Sequence, residues 1–508
     1  MYELLFAGLA NVVQFKYLLP LFLGTLVGIV GGALPGVTIT MTIIVVLPFT
    51  FGLDPLQGLA AMTGVYVGGS AGGLVTAVLL GIPGTPSAIA TTFDGYVLAK
   101  NGEPGRALWI GIWASFCGGL LGGVFLIGAT GPLARIALEF GPWEFFSLFV
   151  LALSMVAGLV EASLLKGLLS GMLGLIVTVM GADPVLGHER LTLGIPFLAG
   201  GIDFLPVLIG VFAFAQIMTE VERMGGGATL AVAVDRAANL AVSQLKVIWE
   251  ILSRPFILLW VAFIGVLIGV LPAIGGSAAS MMAYDQAKKL SRHPERFGTG
   301  TPEGIIASEA SNNANVGGSL VTIMAFGIPG DAVTAVMLGA LTIHGIQSGP
   351  LFISQNAQLA YGIFAAYLLA HPIMVLILAV GARWMLRVTT VPKAVLFPAV
   401  LVLCTVGAYA LNNTMANVYV LLVFGLLGYG MVKTGFPLAP FILGVILGDQ
   451  IELNLIRSIM TDANPWLFIT RPISGGLLLA SVASVAFALW QHRRQQAKLS
   501  GSGDSSDF

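Results

Sequence analysis

The segment Gly72-Gly73-Leu74-Val75-Thr76, followed by Gly81-Ile82-Pro83-Gly84, has a second copy in this chain. The second copy reads Gly318-Ser319-Leu320-Val321-Thr322 and then Gly327-Ile328-Pro329-Gly330, with each residue 246 positions after its counterpart. Internal similarity at one fixed spacing indicates repeated structural units. We therefore infer that two related halves form this protein.

An upstream pair, Leu34-Pro35 and Leu271-Pro272, extends the similarity at a spacing of 237 residues. The spacing increases from 237 to 246 within the loop that separates this pair from the Gly-Ile-Pro-Gly segment. Insertions are best tolerated in loops. The predicted organisation is a first half at 1–222 with its core motif at 28–104, a polar linker at 223–250, a second half at 251–490 with its core motif at 265–350, and a disordered cytoplasmic tail at 491–508.

The composition identifies the environment of the chain. Only 9% of the 508 residues are charged, 57% are hydrophobic, and the mean hydropathy is +0.95. A soluble domain carries about 25% charged residues, so a soluble enzyme and a nucleic-acid-binding protein are excluded. Since a spanning helix needs about 20 apolar residues, we predict an all-α polytopic membrane protein with about 10–12 spanning helices plus broken or re-entrant helices.

Each Gly-Ile-Pro-Gly motif predicts a break in a membrane helix. Proline removes a backbone hydrogen bond and glycine permits non-helical torsions, so carbonyl groups become free to bind a cation such as Na⁺. A simple proline kink is the alternative for either motif. The candidate cation-binding residues are Pro35, Gly36, Gly81, Ile82, Pro83, Gly327, Ile328 and Pro329. After the breaks, Thr85 and Asp331 are predicted to cap new helices.

Uncharged polar residues surround both breaks. Amide, hydroxyl and backbone N–H groups can hold a carboxylate where Lys and Arg are absent. The candidate substrate-binding residues are Ser70, Gly84, Thr85, Ser87, Asn312, Asn313, Asn315, Gly330 and Thr334. Hydrogen bonding between packed helices is the alternative role for the asparagines. Glu309 is a functional candidate because carboxylates within a membrane segment are rare.

The basic residues predict how the halves are oriented. The first half carries them in its later loop and the second half in its earlier loop: Lys100 and Arg106, then Lys288, Lys289, Arg292 and Arg296. Cytoplasmic loops collect Lys and Arg, so an inverted repeat would put all of them on one side of the membrane. Inverted repeats around a midplane site are typical of secondary transporters, which favours alternating access between the two breaks.

Two other classes of function remain as alternatives. Gly68-Gly69-Ser70-Ala71-Gly72 matches the Gly-x-Ser-x-Gly pattern of serine hydrolases, so an intramembrane protease is one. A channel is the other, although it would need a continuous polar pore. We expect no enzyme activity, no cofactor and no transition-metal site, because the chain has neither a phosphate-binding loop nor a zinc motif. Cys117 and Cys404 lie in apolar segments and are interpreted as buried side chains.

The residues Leu34-Pro35-Gly36, the paired Gly-Ile-Pro-Gly motifs and the run from Glu309 to Asn315 resemble the TctA family, the large membrane subunit of tripartite tricarboxylate transporters. The resemblance covers roughly residues 18–490. It implies a permease of the bacterial inner membrane that imports citrate or another carboxylate with a cation gradient, commonly Na⁺. It also implies two partners, a small membrane subunit (TctB-like) and a periplasmic substrate-binding protein (TctC-like). By analogy with other inverted-repeat carriers, we expect an elevator-like movement of the breaks.

One departure from symmetry accompanies this resemblance. The second copy of Leu-Pro-Gly reads Leu271-Pro272-Ala273 and continues Ile274-Gly275-Gly276. The two halves therefore need not bind identical groups.

Overall fold

The computed structural model describes residues 2–158, 163–183, 187–223, 240, 242–272, 274–388 and 391–501. Helices dominate this part of the chain, as predicted. The first half contains α1 (Tyr2–Val12), α2 (Phe15–Ala33), α3 (Ile39–Thr50), α4 (Pro55–Leu80), α5 (Ile89–Thr91), α6 (Val97–Lys100), α7 (Pro104–Leu138), α8 (Pro142–Gly158), α9 (Leu164–Val179), α10 (Phe204–Leu208) and α11 (Ala215–Arg223). A short hairpin pairs β1 (Gly181–Ala182) with β2 (Glu189–Arg190).

The second half contains α12 (Gln244–Leu252), α13 (Pro255–Val270), α14 (Gly275–Leu290), α15 (Pro302–Phe326), α16 (Ala332–Ile343), α17 (Phe352–Gln355), α18 (Ala357–Val388), α19 (Lys393–Asn412), α20 (Met415–Lys433), α21 (Leu438–Thr461), α22 (Leu467–Thr470) and α23 (Pro472–Gly501). Single turns of 3₁₀-helix lie at Pro86–Ala88, Pro196–Gly200 and Pro294–Arg296, and π-helix lies at Thr92–Tyr96 and Ile209–Phe214.

Among the described residues, nine helices are long and apolar enough to cross a membrane, or ten if α12 and α13, bent by 77°, form one span. Helix α15 is also long, with 25 residues, but its polar residues make it too hydrophilic to be one of them. Its central residues are nevertheless buried, and 94% of the most apolar part of α4 is buried as well. These two helices are therefore surrounded by protein rather than lipid.

The predicted linker and the predicted C-terminal tail can be compared with the structure in part. The segment predicted as a linker, 223–250, lies largely outside the described residues, and its last part forms the start of α12. The tail predicted as disordered from residue 491 is helical as far as Gly501, and 502–508 lie outside the described part. The helix continues because eight of the nine residues at 491–499 are Gln, Lys, Arg, Ala or Leu, which are good helix formers, and glycine first occurs at 501.

The chain folds into two compact units. The first unit comprises Met1–Ala137 and Phe212–Val418, and it contains both breaks and every candidate site residue. The second comprises Leu138–Val211 and Tyr419–Phe508, in which α9 packs on α21 through Gly174, against the backbone of Phe441, and Gly444, against that of Gly171. Each unit takes segments from both predicted halves.

Glycines let the main helices of the first unit approach closely. Gly28 of α2 lies against the backbone of Val65 in α4, and Gly265 of α13 lies against the backbone of Ser311 in α15. Gly265 follows Gly28 by 237 residues and Ser311 follows Val65 by 246, the two spacings of the sequence repeat. Small residues permit such backbone contact between membrane helices. Equivalent positions therefore make equivalent contacts, while the inverted orientation of the halves stays a prediction.

Candidate functional site at two helix breaks

Both Gly-Ile-Pro-Gly motifs terminate a long buried helix. Helix α4 ends at Gly81, whose φ is 72°, and α15 ends at Gly327, whose φ is 73°. Glycine adopts this left-handed conformation at little cost, and proline two residues later prevents the helix from continuing. The structure therefore confirms the two predicted helix breaks.

The chain restarts differently after each break. Asp331 caps α16, because its carboxylate accepts the Thr334 N–H at 2.9 Å while the Thr334 hydroxyl accepts the N–H of Asp331 at 2.9 Å. Thr85, also predicted as a cap, makes no capping bond to the 3₁₀ turn at Pro86–Ala88. Its hydroxyl instead lies 3.1 Å from that of Ser87. The first break therefore leaves its new helical turn without a side-chain cap.

The two breaks also differ in exposure. Ile82 is 39% exposed, whereas Ile328, its counterpart, is 2% exposed. Pro83 is half-buried and Pro329 is buried. Related sequences thus occupy unequal environments in this conformation.

The last glycine of each motif packs against a neighbouring helix end. A Cβ on Gly84 would overlap the Gly32 carbonyl oxygen, and one on Gly330 would overlap that of Gly269. The same Cβ on Gly330 would lie 2.9 Å from the Cβ of Ser319. Both positions therefore require glycine.

A polar cluster joins the two halves beside these breaks. The side-chain amide of Asn312 donates to the backbone oxygen of Ser70 at 2.8 Å, and both residues are buried. A Cβ on Gly276, in the first turn of α14, would overlap Asn312 Oδ1 and would lie 3.5 Å from the Cβ of Ser87. Ser70, Ser87 and Asn312, three predicted substrate residues, therefore come together at the start of α14.

The N-terminus of α14 is a feature that we did not predict. Ile274 precedes the helix and offers no side-chain cap, whereas Thr38 caps the corresponding helix α3 by accepting the Met41 N–H at 3.1 Å. Free N–H groups and the helix dipole make such an end attractive to anions. The sequence signal was the replacement of Thr38 by Gly275 in the second copy.

Other predicted residues lie elsewhere. Asn313 is bonded on a different side of α15. Its side-chain amide donates to the Glu309 backbone oxygen at 3.3 Å, and its backbone carbonyl accepts the Tyr367 hydroxyl at 3.2 Å. Gly36, with φ 93°, and the adjacent Pro35 join α2 to α3. A Cβ on Gly36 would overlap the carboxylate of Glu220 at 2.6 Å and would lie 3.1 Å from Nζ of Lys393, its ion-pair partner. The charges beside Gly36 are those of this ion pair, and a cation-binding role for Pro35 and Gly36 stays a prediction.

Glu309 is fully buried and interacts with two hydroxyl groups. Thr91 donates to its Oε1 at 2.6 Å, and Ser115 donates to its Oε2 at 2.8 Å. In the described part of the chain it forms no ion pair. A buried carboxylate held only by hydroxyls is expensive in free energy, which is the usual mark of a functional group in a membrane protein.

Asp94 is a second buried carboxylate, and sequence reasoning missed it. Its Oδ1 accepts the backbone N–H groups of Gly298, Gly300 and Thr301 at 2.8–2.9 Å, and its Oδ2 accepts the Tyr284 hydroxyl at 2.8 Å. These bonds connect the segment after the first break to the loop before α15. The pKa of the Tyr284 hydroxyl is raised by burial and by the adjacent carboxylate. A carboxylate within the apolar run 86–99 was the available signal.

Helical membrane proteins in which discontinuous helices surround a neutral polar cluster are typically transporters. The chain belongs to the tripartite tricarboxylate transporter TctA family, whose profile matches residues 18–443. It is 36% identical over 470 residues, 92% of both chains, to an uncharacterized 52.8 kDa protein in the TAR-I ttuC' 3' region of Agrobacterium vitis. It is 35% identical over 227 residues to an uncharacterized protein in the TAR-II ttuC' 3' region of the same organism, covering 44% of this chain and 93% of the relative.

Membership in a transporter family agrees with the prediction that the chain is not an enzyme. The protein is therefore a multi-pass membrane protein and a subunit of a tripartite transporter.

Proposed function

We propose that this chain imports citrate or a related carboxylate across the bacterial inner membrane as a secondary transporter driven by a Na⁺ gradient. In this proposal a periplasmic protein delivers the substrate and a small membrane subunit completes the transporter, as the family implies. The C-terminal end lies in the cytoplasm. No cofactor takes part.

One observation carries the assignment of the substrate site. The uncapped start of α14 lies between the two halves, beside the amide of Asn312 and the side chain of Ser87. Backbone N–H groups, the second N–H of the Asn312 side chain and the Ser87 hydroxyl can donate hydrogen bonds to an anion without a permanent positive charge. A carboxylate can therefore bind there and be released again, which a carrier requires.

Alternating access supplies the movement in this proposal. The first break is partly exposed and the second is buried, so the two breaks would exchange these environments as the site opens to opposite sides of the membrane. We propose that the breaks move against a scaffold of the remaining helices, as in elevator carriers. Since the packing of both breaks depends on close contacts at Gly84 and Gly330, small changes there should impair transport.

The experiment is uptake into proteoliposomes that contain the chain, the small membrane subunit and the cognate binding protein. Radiolabelled citrate and a panel of mono-, di- and tricarboxylates are tested with an inward Na⁺ gradient and with equal Na⁺ on both sides. We expect accumulation of at least one carboxylate only with the gradient. Accumulation that is unchanged without any cation gradient would refute the mechanism.

Variants locate the substrate site in the same assay. Asn312→Ala removes the amide beside α14, so uptake should fall strongly, while Asn101→Ala, which alters an exposed asparagine, should leave it unchanged. Normal uptake by Asn312→Ala would place the substrate elsewhere.

A further inference from the structure

We propose that one Na⁺ ion binds at the second break, where its ligands are Asn315 Oδ1, Ser319 Oγ and the carboxylate of Asp331, and that the first break has no equivalent site. The assignment of Na⁺ as the coupling ion rests on the proposed function. The site itself rests on the geometry of α15 and of the turn before α16.

Ser319 and Asp331 adjoin at the second break, and Asn315 lies one helical turn before Ser319. Asn315 and Ser319 are four residues apart on α15 and therefore lie on the same face of the helix. Gly269 packs against this face, since a Cβ there would lie 2.8 Å from the Ser319 N–H nitrogen. Gly330 packs against Ser319, and Asp331 is the next residue. The break thus brings Asp331 close to Ser319, on the helix that also carries Asn315.

Two of these oxygens make no well-formed hydrogen bond in the described part of the chain, although the Tyr66 hydroxyl lies near Ser319. They are Asn315 Oδ1 and Ser319 Oγ, in side chains that are 1% and 0% exposed. A buried polar atom without a partner costs free energy, and such atoms in native proteins usually have a ligand or ion. Na⁺ is a hard cation that prefers oxygen ligands, so it would satisfy both.

Asp331 provides the charge. Its carboxylate is buried, accepts the hydroxyl of Tyr66 and the N–H of Thr334, and forms no ion pair among the described residues. A buried carboxylate is stable when a cation neutralises it. Two neutral oxygens and one carboxylate suit an alkali cation better than a transition metal, which prefers imidazole or thiolate ligands.

The repeat provides an internal comparison. The residues 246 positions before Asn315, Ser319 and Asp331 are Gly69, Gly73 and Thr85. Two glycines and a threonine offer neither side-chain oxygens on the helix face nor a negative charge. The comparison therefore assigns one side-chain cation site per chain, located in the second half.

The position of Asp331 also explains how Na⁺ binding is coupled to substrate binding. A Cβ on Gly275, the first residue of α14, would lie 3.5 Å from the Cβ of Asp331. The proposed carboxylate site at the start of α14 is therefore next to a buried negative charge. Without a cation the two negative charges repel each other in a medium of low dielectric constant, so Na⁺ should be needed for tight substrate binding.

The test measures Na⁺ binding directly on the purified full chain in detergent. Thermal unfolding is followed while NaCl replaces choline chloride at constant ionic strength, since a ligand that binds the native state raises the melting temperature. We expect a saturable rise for wild type. Ser319→Ala and Asp331→Asn should shift the half-saturating Na⁺ concentration upward at least tenfold, and Ser481→Ala, which alters a buried serine of the second unit, should not.

A second readout uses citrate and the other carboxylates in the same titrations. Substrate stabilisation should depend on Na⁺ in wild type and lose most of that dependence in Asp331→Asn, because the repelling charge is gone. If Asp331→Asn does not fold, Ser319→Ala alone decides. The absence of a saturable effect of Na⁺ on wild type, or wild-type Na⁺ affinity in the folded variants, overturns the site. Loss of Na⁺-driven uptake with this binding pattern intact would instead refute the proposed function.

Discussion

Replacing Gly276 by alanine perturbs the candidate substrate site without removing any polar group. The added methyl group would overlap Asn312 Oδ1 while remaining 3.5 Å from the Cβ of Ser87. Since the overlapping atom is the end of a side chain, the amide of Asn312 has to move and its 2.8 Å bond to Ser70 is lost or strained. The helix gains less than the about 1 kcal/mol by which alanine is favoured over glycine in a helix interior, because position 276 lies in the first turn.

The size of the effect follows from the lost hydrogen bonds. A neutral hydrogen bond contributes about 1 kcal/mol, and one to a charged group contributes about 1.5–3 kcal/mol. If the amide binds a substrate carboxylate, its displacement therefore weakens substrate binding by about 10- to 150-fold, since about 1.4 kcal/mol corresponds to a factor of ten. The loss of stability from the Asn312–Ser70 bond is partly offset by the gain in helix propensity.

The assay is carboxylate uptake into proteoliposomes at a range of substrate concentrations, together with thermal unfolding of the purified chain. We expect KM to rise by this factor in Gly276→Ala, with a melting temperature close to that of wild type. Gly430→Ala is the matched control, since nothing lies within 4 Å of the added methyl group, and it should leave KM unchanged. An unaltered KM in Gly276→Ala, with the protein folded, would refute the placement of the substrate beside Asn312.

Three further predictions concern stability, each measured by thermal unfolding of the purified chain. Gly265→Ala should lower the free energy of unfolding by about 1–3 kcal/mol, because its methyl group overlaps the backbone of Ser311. Gly128→Ala, whose methyl group faces open space, should not lower it. Equal stability of the two variants would contradict the close packing of α13 on α15. Asp94→Ala should lower the free energy of unfolding by about 1–3 kcal/mol, because its backbone donors are left without an acceptor. Asp94→Asn should lower it less. The reverse order would contradict the role of Asp94 as an acceptor for these donors. Asp54→Ala removes the capping box of α4 and should lower the free energy of unfolding by about 1 kcal/mol, whereas Asp54→Asn should retain most of that stability. An unchanged stability of Asp54→Ala would show that the cap is dispensable.

Local sequence signals predicted the helices and their ends well. Gly81 and Gly327 marked the breaks because glycine and proline act on their own backbone, and Asp331 marked a cap because its partner is three residues away. Such features depend on short stretches of chain. The composition likewise sufficed for the class of protein, since charge and hydropathy act on the whole surface.

The site could be predicted only in part, because its contacts join distant residues. Asn312 and Ser70 are 242 positions apart, and Asp94 and Gly298 are 204 apart. No local pattern specifies which helices bring these residues together. Asn313 illustrates the difficulty, since a position next to Asn312 points one quarter of a turn away on a helix and is bonded on another side.

The asymmetry between the breaks was only partly visible in the sequence. The replacement of Thr38 by Gly275 and of Gly73 by Ser319 could be read from the repeat, but the unequal exposure of Ile82 and Ile328 could not. Exposure depends on the conformation that the whole unit adopts. A repeat in sequence therefore predicted related folds without predicting equal roles.

The central claim is that one carboxylate binds between the two breaks, and cysteine protection tests it most directly. Cys117 and Cys404 are first replaced by alanine. Single cysteines are then introduced as Ser87→Cys in the first half and as Ser277→Cys in the second, where Ser277 lies in the first turn of α14. The rate of labelling by a small thiol reagent is measured in proteoliposomes against the concentration of the transported carboxylate, with Na⁺ present. The account predicts that both cysteines are protected with the same half-maximal concentration. Protection of neither, or of one at a clearly different concentration, would contradict a shared site.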